Sequence, residues 1–387
     1  MALKSRVLGP VLCIVLGLMA LPLAAQGFET PARSAIIIDH ATGMTLFEKN
    51  AHEPLPPASM SKLMTLYMLF EAIRDGRVTP ETEFDVSARA QAIGGSRMFV
   101  EAGTRVPVDA LIHGIIVQSG NDACIVVAEN LAGTEEAFAA QMTRRAAEIG
   151  LTNTVLRNAS GWPEPGHVMS TADIAALSRR IITEFPEFYG YFAETEYTWN
   201  DITQANRNPL LRLGIGADGL KTGHTNEAGY GLAASAVQDD QRIVFVATGF
   251  DSESARRAGT EAMVKWAFGA FDKVKFFDAG AVAAEADVWL GEVPSVPLVV
   301  PGLAQMLVLR EDRGGVQARI VFPSPVEAPI TAGQEIGALV VEVPGKEAAR
   351  FPLVAGRDVA RGGFGTRLGA AARLARDRAI DLIARPE

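Results

Sequence analysis

Pro56-Pro57-Ala58-Ser59-Met60-Ser61-Lys62-Leu63-Met64-Thr65-Leu66 is the stretch on which the reading of this chain turns. The proline pair closes a loop, and an apolar run with helical spacing follows it. Met60, Leu63, Met64, Tyr67 and Phe70 recur at intervals of three and four, which predicts a helix with one buried face, ending near Asp75-Gly76. Ser59 and Lys62 stand three residues apart, so a hydroxyl and an amine share a face one turn apart. A nucleophile and its base need that proximity. Taken alone, the pattern reads first as Ser59 capping the helix, with Lys62 in solvent.

Working outward, residues 34–39 and 45–48 flank Ala41-Thr42-Gly43 and read as a β-hairpin. Residues 77–108 read as strands and loops, with Gly94-Gly95-Ser96 as a flexible turn. Helices are expected over 108–117, 123–131, 135–149 and 171–184. The β-like runs 230–237 and 242–249 suggest an antiparallel pair, and 253–268 has helical spacing. After Phe271 prolines become frequent and short alternating β runs appear, such as 306–309 and 338–343. This predicts a small all-β domain over 273–362, which carries no His and no Cys.

The chain has 387 residues, 48% of them hydrophobic and 21% charged, enough for two or more domains with a sizeable core. A net charge of -9 gives no footing for nucleic acid. Lys4 and Arg6 precede an apolar run over 7–23, and Ala24-Ala25-Gln26-Gly27 supplies small residues for cleavage. Residues 1–26 are therefore expected to be a removed signal segment; Gly9, Pro10, Gly17 and Pro22 argue against a retained anchor. Cys13 would leave with it. Cys124, inside the apolar run 123–128, then reads as a buried structural thiol with no disulfide partner. At the other end, 363–387 reads as an amphipathic helix. Between Arg361 and Arg385 stand six Arg and two Asp, a local charge of about +4. Such a helix is expected to lie on a membrane surface, weakly because its apolar stripe is rich in Ala; docking on its own domain is the alternative.

Three short motifs stand in order: Ser59-Met-Ser-Lys62, Ser119-Gly-Asn121 and Lys221-Thr-Gly223. Their contexts are a helix start, a loop between helices and an edge strand. Together they resemble the active-site set of penicillin-binding proteins and serine β-lactamases. Ser119-Gly-Asn-Asp-Ala-Cys124, Asn206-Arg-Asn208, Asp218-Gly-Leu-Lys-Thr-Gly-His-Thr225 and Ala228-Gly-Tyr230 narrow the resemblance to the low-molecular-mass penicillin-binding proteins that act as D-alanyl-D-alanine carboxypeptidases. It spans roughly residues 30–270.

The resemblance implies an α/β (α+β) catalytic domain over 27–272, an antiparallel sheet covered by helices, followed by the β domain and the terminal helix. It implies Ser59 as the acyl-ester nucleophile and Lys62 as its base, made neutral by burial or by a neighbouring cation, for which Lys221 is the obvious choice. Ser119 becomes a proton relay and Asn121 a holder of the substrate's acyl-side amide. The backbone N–H groups of Ser59 and His224 become the oxyanion hole. Lys221, Thr222 and Gly223 line the place of the terminal carboxylate, with Arg207 assisting and Arg256 in a further basic position. The implied ligands are peptidoglycan pentapeptide and β-lactams; the signal segment and the terminal helix lead to an expected place in the periplasm, at the outer face of the cytoplasmic membrane. No metal or cofactor is expected; His40, His52, His113, His167 and His224 show no ligand spacing.

Two rivals remain. A serine β-lactamase would need a carboxylate for deacylation in an E-x-x-L-N pattern, and the nearest string, Glu148-Ile-Gly-Leu-Thr-Asn153, has an extra Thr. A non-catalytic cell-wall-peptide scaffold would have no chemical need for Ser59, Lys62 and Lys221 together.

Overall fold

The computed structural model describes residues 28–345 and 348–363. The expected signal segment and terminal helix lie outside these residues. The chain opens with β1 (Ser34–Asp39) and β2 (Thr45–Lys49), then a 3-10 turn, Ala58–Ser61, that runs into α1 (Lys62–Arg74). A helical region follows: β3 (Glu83–Asp85), α2 (Ala88–Ala92), β4 (Arg105–Pro107), α3 (Val108–Ile116), α4 (Asn121–Ala132), α5 (Glu135–Glu148), α6 (Thr171–Glu184) and α7 (Pro186–Tyr189). The hairpin β5 (Glu196–Trp199) and β6 (Ile202–Ala205) leads to β7 (Ala217–Thr225), β8 (Gly229–Gln238), β9 (Gln241–Phe250) and α8 (Glu253–Ala270).

Five strands form one antiparallel sheet in the order β2-β1-β9-β8-β7, which leaves β7 at an edge. The turn between β8 and β9 is Asp239-Asp240, both at positive φ, which suits the twist of a two-residue hairpin. Side chains alternate across the sheet. Ile36, Ile38, Leu220, Ala233, Val244 and Val246 face the core shared with α1 and α3 to α6. Ile37, Leu232, Ala234 and Phe245 face Met263 and Val264 of α8.

The helix α1 departs from its expected form. Lys62 to Tyr67 are all buried, as are Leu69 to Ala72. It is a central helix, buried nearly all round, because α3, α4, α5 and α6 close on it from more than the one expected face.

Directly after α8, β10 (Phe271–Phe277) begins a second unit. It pairs with β13 (Ala304–Leu309). The remaining strands β11 (Val282–Trp289), β12 (Ser295–Val299), β14 (Gln317–Val321), β15 (Val326–Glu327), β16 (Glu335–Glu342) and β17 (Ala349–Ala355) form a sheet ordered β14-β16-β17-β12-β11-β15. Its core is separate, built on residues such as Val296, Leu298, Met306, Leu339 and Leu353. Phe271 and Leu307 join the layer beneath α8, so the two units share an apolar seam.

Candidate active site

The turn that carries Ser59 is set by backbone contacts on two sides. Ala58 has a positive φ of 48°, and Met60 N–H donates to Pro57 O at 3.2 Å. On one side lies Gly223 of β7, where a Cβ would meet Pro57 O at 2.9 Å and Met60 Cγ at 3.2 Å. On the other lies Gly161, at φ +78°, where a Cβ would come within 2.0 Å of Ala58 O. Both positions need glycine so that strand and loop can close on the turn. Ser59 makes no capping hydrogen bond; the cap positions of the turn and of α1 are Pro57 and Ser61. The capping reading of Ser59 therefore fails, and its hydroxyl is free for another partner.

That partner is Lys62. Its Nζ lies 2.9 Å from Ser59 Oγ, 2.8 Å from Asn121 Oδ1 and 2.5 Å from Ser160 O. Two of these neighbours, an amide oxygen and a backbone carbonyl, can only accept. They hold two N–H bonds of the amine, so in its neutral form the lone pair is directed at the Ser59 hydroxyl. Lys62 is fully buried, and burial lowers its pKa to about 8. The Arg207 charge pushes the same way, and the carboxylates of Asp122 and Glu135 oppose it. Cys124, buried as expected, is held as a neutral thiol up to about 12. Of the two expected causes, burial acts first on both amines, and the cation that adds to it at Lys62 is Arg207 rather than Lys221. Lys221 too is held well below its ordinary value, first by burial and then by the Lys62 charge.

Lys221 Nζ donates to Ser119 Oγ at 3.0 Å. Ser119 precedes α4 in a left-handed conformation, φ 58°, which turns its hydroxyl into the cleft. Asn121 is the first residue of α4, and its Nδ2 donates to Gly94 O at 2.9 Å. Its backbone N–H donates to Ser96 O at 2.8 Å. The Gly94-Gly95-Ser96 turn, expected to be flexible, is thus pinned to the start of α4.

A cavity of about 290 Å3 opens in front of these groups, lined in part by Ser59, Ser119, Thr222, Gly223 and His224. Arg207 and Arg256 line its far end. Asn206 and Asn208 fasten Arg207 through bonds to Glu194 O (2.8 Å) and Gly219 O (2.9 Å). Arg207 Nη1 then reaches Ser96 Oγ at 2.5 Å. Arg256 is buried, and one guanidinium nitrogen donates to Arg207 O at 3.4 Å. The Arg256 guanidinium lies 5.7 Å from the centre of the Tyr230 ring, and His224 stacks on the same ring at 3.9 Å. Two guanidiniums against the single carboxylate of Glu253, 3.9 Å from Arg256, leave this end electropositive. It can take an anion, while the Ser59 end can deliver an activated hydroxyl.

All ten residues singled out from sequence converge here. Sequence reasoning missed Ser96, the Ser160 carbonyl, Tyr230 and Glu253. Tyr230 and Ser96 stood inside quoted stretches, but a backbone carbonyl leaves no trace in a sequence. Glu148 is exposed and pairs with Arg145 at 3.0 Å, away from the cavity lining. Among the described residues no cluster of three His, Cys, Asp or Glu side chains forms a metal site.

Residues 22–252 match the family described as D-alanyl-D-alanine carboxypeptidase, and 271–361 match the penicillin-binding protein 5 C-terminal domain. The chain is 35% identical to the D-alanyl-D-alanine carboxypeptidase DacD of Escherichia coli, over 90% of this chain and 92% of that one. The crystal structure of penicillin binding protein 5 from Haemophilus influenzae superposes with a TM-score of 0.77 at 31% identity, covering 86% of this chain and 99% of that one. Penicillin-Binding Protein D2 from Listeria monocytogenes, solved in its ampicillin-bound form, matches with a TM-score of 0.57 at 26% identity, over 62% of this chain and 99% of that one. With the matched segments spanning both folded units, the chain belongs to the D-alanyl-D-alanine carboxypeptidase family.

Proposed function

We propose that the protein is a serine-type carboxypeptidase that removes the terminal D-alanine from peptidoglycan pentapeptide through an acyl-enzyme on Ser59. The observation that carries this is the placement of Lys62, whose two acceptor partners leave its third position for the Ser59 hydroxyl. Ser59 Oγ attacks the carbonyl between the two D-alanines and passes its proton to Lys62. The oxyanion is received by the N–H groups of Ser59 and His224. The leaving amine takes a proton through Ser119 as the C–N bond breaks. Water then cleaves the ester and restores Ser59. Lys221, Thr222 and Arg207 hold the terminal carboxylate, with Arg256 behind them, and Asn121 steadies the acyl side.

A β-lactam presents the same carboxylate and an amide whose amine stays tethered after ring opening. The ester should therefore persist, as the ampicillin-bound relative suggests. The serine β-lactamase reading lacks support in the cavity, where the one carboxylate, Glu253, stands at the anion end.

The test is D-alanine release from diacetyl-Lys-D-Ala-D-Ala by the wild type and by Ser59→Ala. Release by the wild type alone is expected. Rapid turnover of a chromogenic cephalosporin without D-alanine release would replace this reading with a β-lactamase; neither activity in folded protein would leave the scaffold.

We also propose that the chain is exported and held at the outer face of the cytoplasmic membrane by 363–387, on the strength of the sequence pattern at its two ends. Among the described residues no helix is long and apolar enough to cross a membrane. Deleting 364–387 should move the protein to the soluble fraction with peptidase activity intact, and undiminished membrane retention would refute the role given to that segment.

A further inference from the structure

Asp122 directly follows Asn121 and is fully buried. Its carboxylate is not spent on a cation but on backbone. Oδ1 accepts from Met98 N–H at 2.9 Å, and Oδ2 accepts from Phe99 N–H at 2.8 Å and Val100 N–H at 3.2 Å. Oδ1 also accepts from Ala123 N–H at 2.9 Å, in the first turn of α4, where a negative charge is favoured. Three successive N–H groups converge on one carboxylate as backbone nests do on anions. Phe99, at φ 71°, takes the left-handed conformation within the run. Gly120 makes room: a Cβ there would stand 2.8 Å from Asp122 Oδ1 and 3.2 Å from Met98 N.

The segment so gripped continues from Ser96, which lines the cleft. Gly94 O and Ser96 O receive the side-chain and backbone N–H groups of Asn121, and Ser96 Oγ receives Arg207. From the other side, Gln204 Nε2 donates to Arg97 O at 2.9 Å and Asn200 Nδ2 to Phe99 O at 3.1 Å. Asp122 therefore anchors a chain of contacts that ends on the guanidinium at the anion end.

We infer that Asp122 is a positioning residue for carboxylate selectivity, acting through residues 96–100 to hold Ser96 and, through it, Arg207. The inference rests on the carboxypeptidase reading. In Asp122→Asn the amide nitrogen faces backbone N–H groups instead of accepting from them, and the segment loses part of its anchor. Ser96→Ala cuts the last link while leaving the anchor whole.

The experiment compares kcat/KM for diacetyl-Lys-D-Ala-D-Ala and for its C-terminal amide. The carboxylate-to-amide ratio is expected to fall roughly tenfold in Asp122→Asn and in Ser96→Ala, the scale of one charge-assisted hydrogen bond. In an Arg207→Ala background neither change should lower the ratio further. Equal losses on both substrates would make Asp122 structural only and overturn the inference, as would an additive fall in that background. If Asp122→Asn does not fold, an unchanged ratio in Ser96→Ala overturns it alone. Should the wild type release no D-alanine, it is the carboxypeptidase reading that fails. The same ratio is then read from acylation by benzylpenicillin against its methyl ester, and an unchanged ratio there counts against Asp122.

Discussion

Lys62 must be neutral to take a proton from Ser59 and positively charged once it has done so. Burial serves the first need by lowering its pKa to about 8. Asn121 Oδ1 and Ser160 O serve the second by accepting from the ammonium. The sign of the pH dependence follows. Raising the pH through 8 raises the neutral fraction, so acylation by a labelled penicillin should climb along a limb centred near 8. A rate that is flat from pH 6 to 10 would remove Lys62 as the base. Lys62→Arg keeps the charge but has no neutral form, and it should lower acylation by about 10^2- to 10^4-fold. At this scale much of the site was legible, because Ser59, Lys62, Ser119, Asn121 and Lys221 act through side chains and stand in the three motifs that carry the family resemblance. What tunes them was not. The Ser160 carbonyl is a main-chain atom, and which charges reach Lys62 depends on how far the helices exclude water.

At the level of elements, the site is the place where a 3-10 turn, an edge strand and the start of α4 are forced together. Gly161 shows how little slack there is. A Cβ would stand 2.0 Å from Ala58 O and 2.7 Å from Ser61 Oγ. Its φ of +78° also penalises any side chain. Gly161→Ala should cost about 2–4 kcal/mol from strain and overpacking together, read as a lower urea midpoint. It should also slow penicillin acylation, since the neighbouring Ser160 carbonyl holds Lys62. Wild-type stability and acylation would mean that the loop has room to yield. The antiparallel pair β8–β9 and the helices around α4 were readable from alternation and periodicity, while the edge position of β7 came only as the expected context of the Lys221-Thr222-Gly223 motif. The pinning of Gly94-Gly95-Ser96 was not, because flexibility was inferred from glycine content while the restraint comes from Asn121, far along the chain. The solvent face expected of α1 was absent for a related reason: the sequence around it shows helices but not their wrapping.

For the whole molecule, the question is how far the catalytic unit depends on the β domain. The two cores are separate, and every residue of the site lies before Phe271. The Listeria relative's solved chain covers 62% of this chain with 99% of its own length, so the matched fold stands in a chain much shorter than this one. The seam argues for some cost. Leu307 is buried with Phe271 against the layer under α8, and removing the β domain would uncover that layer. Losing one buried Leu of this kind amounts to about 1.5–3 kcal/mol. A chain ending at residue 270 is therefore expected to melt several degrees lower, at about 2–4 °C for each kcal/mol lost, yet to acylate with labelled penicillin at the full-length rate. A folded fragment that no longer acylates would show that the β domain shapes the cleft through the seam. An unchanged melting temperature would show that the seam contributes nothing, and that the β domain serves only to set the catalytic unit at a distance from whatever holds its far end.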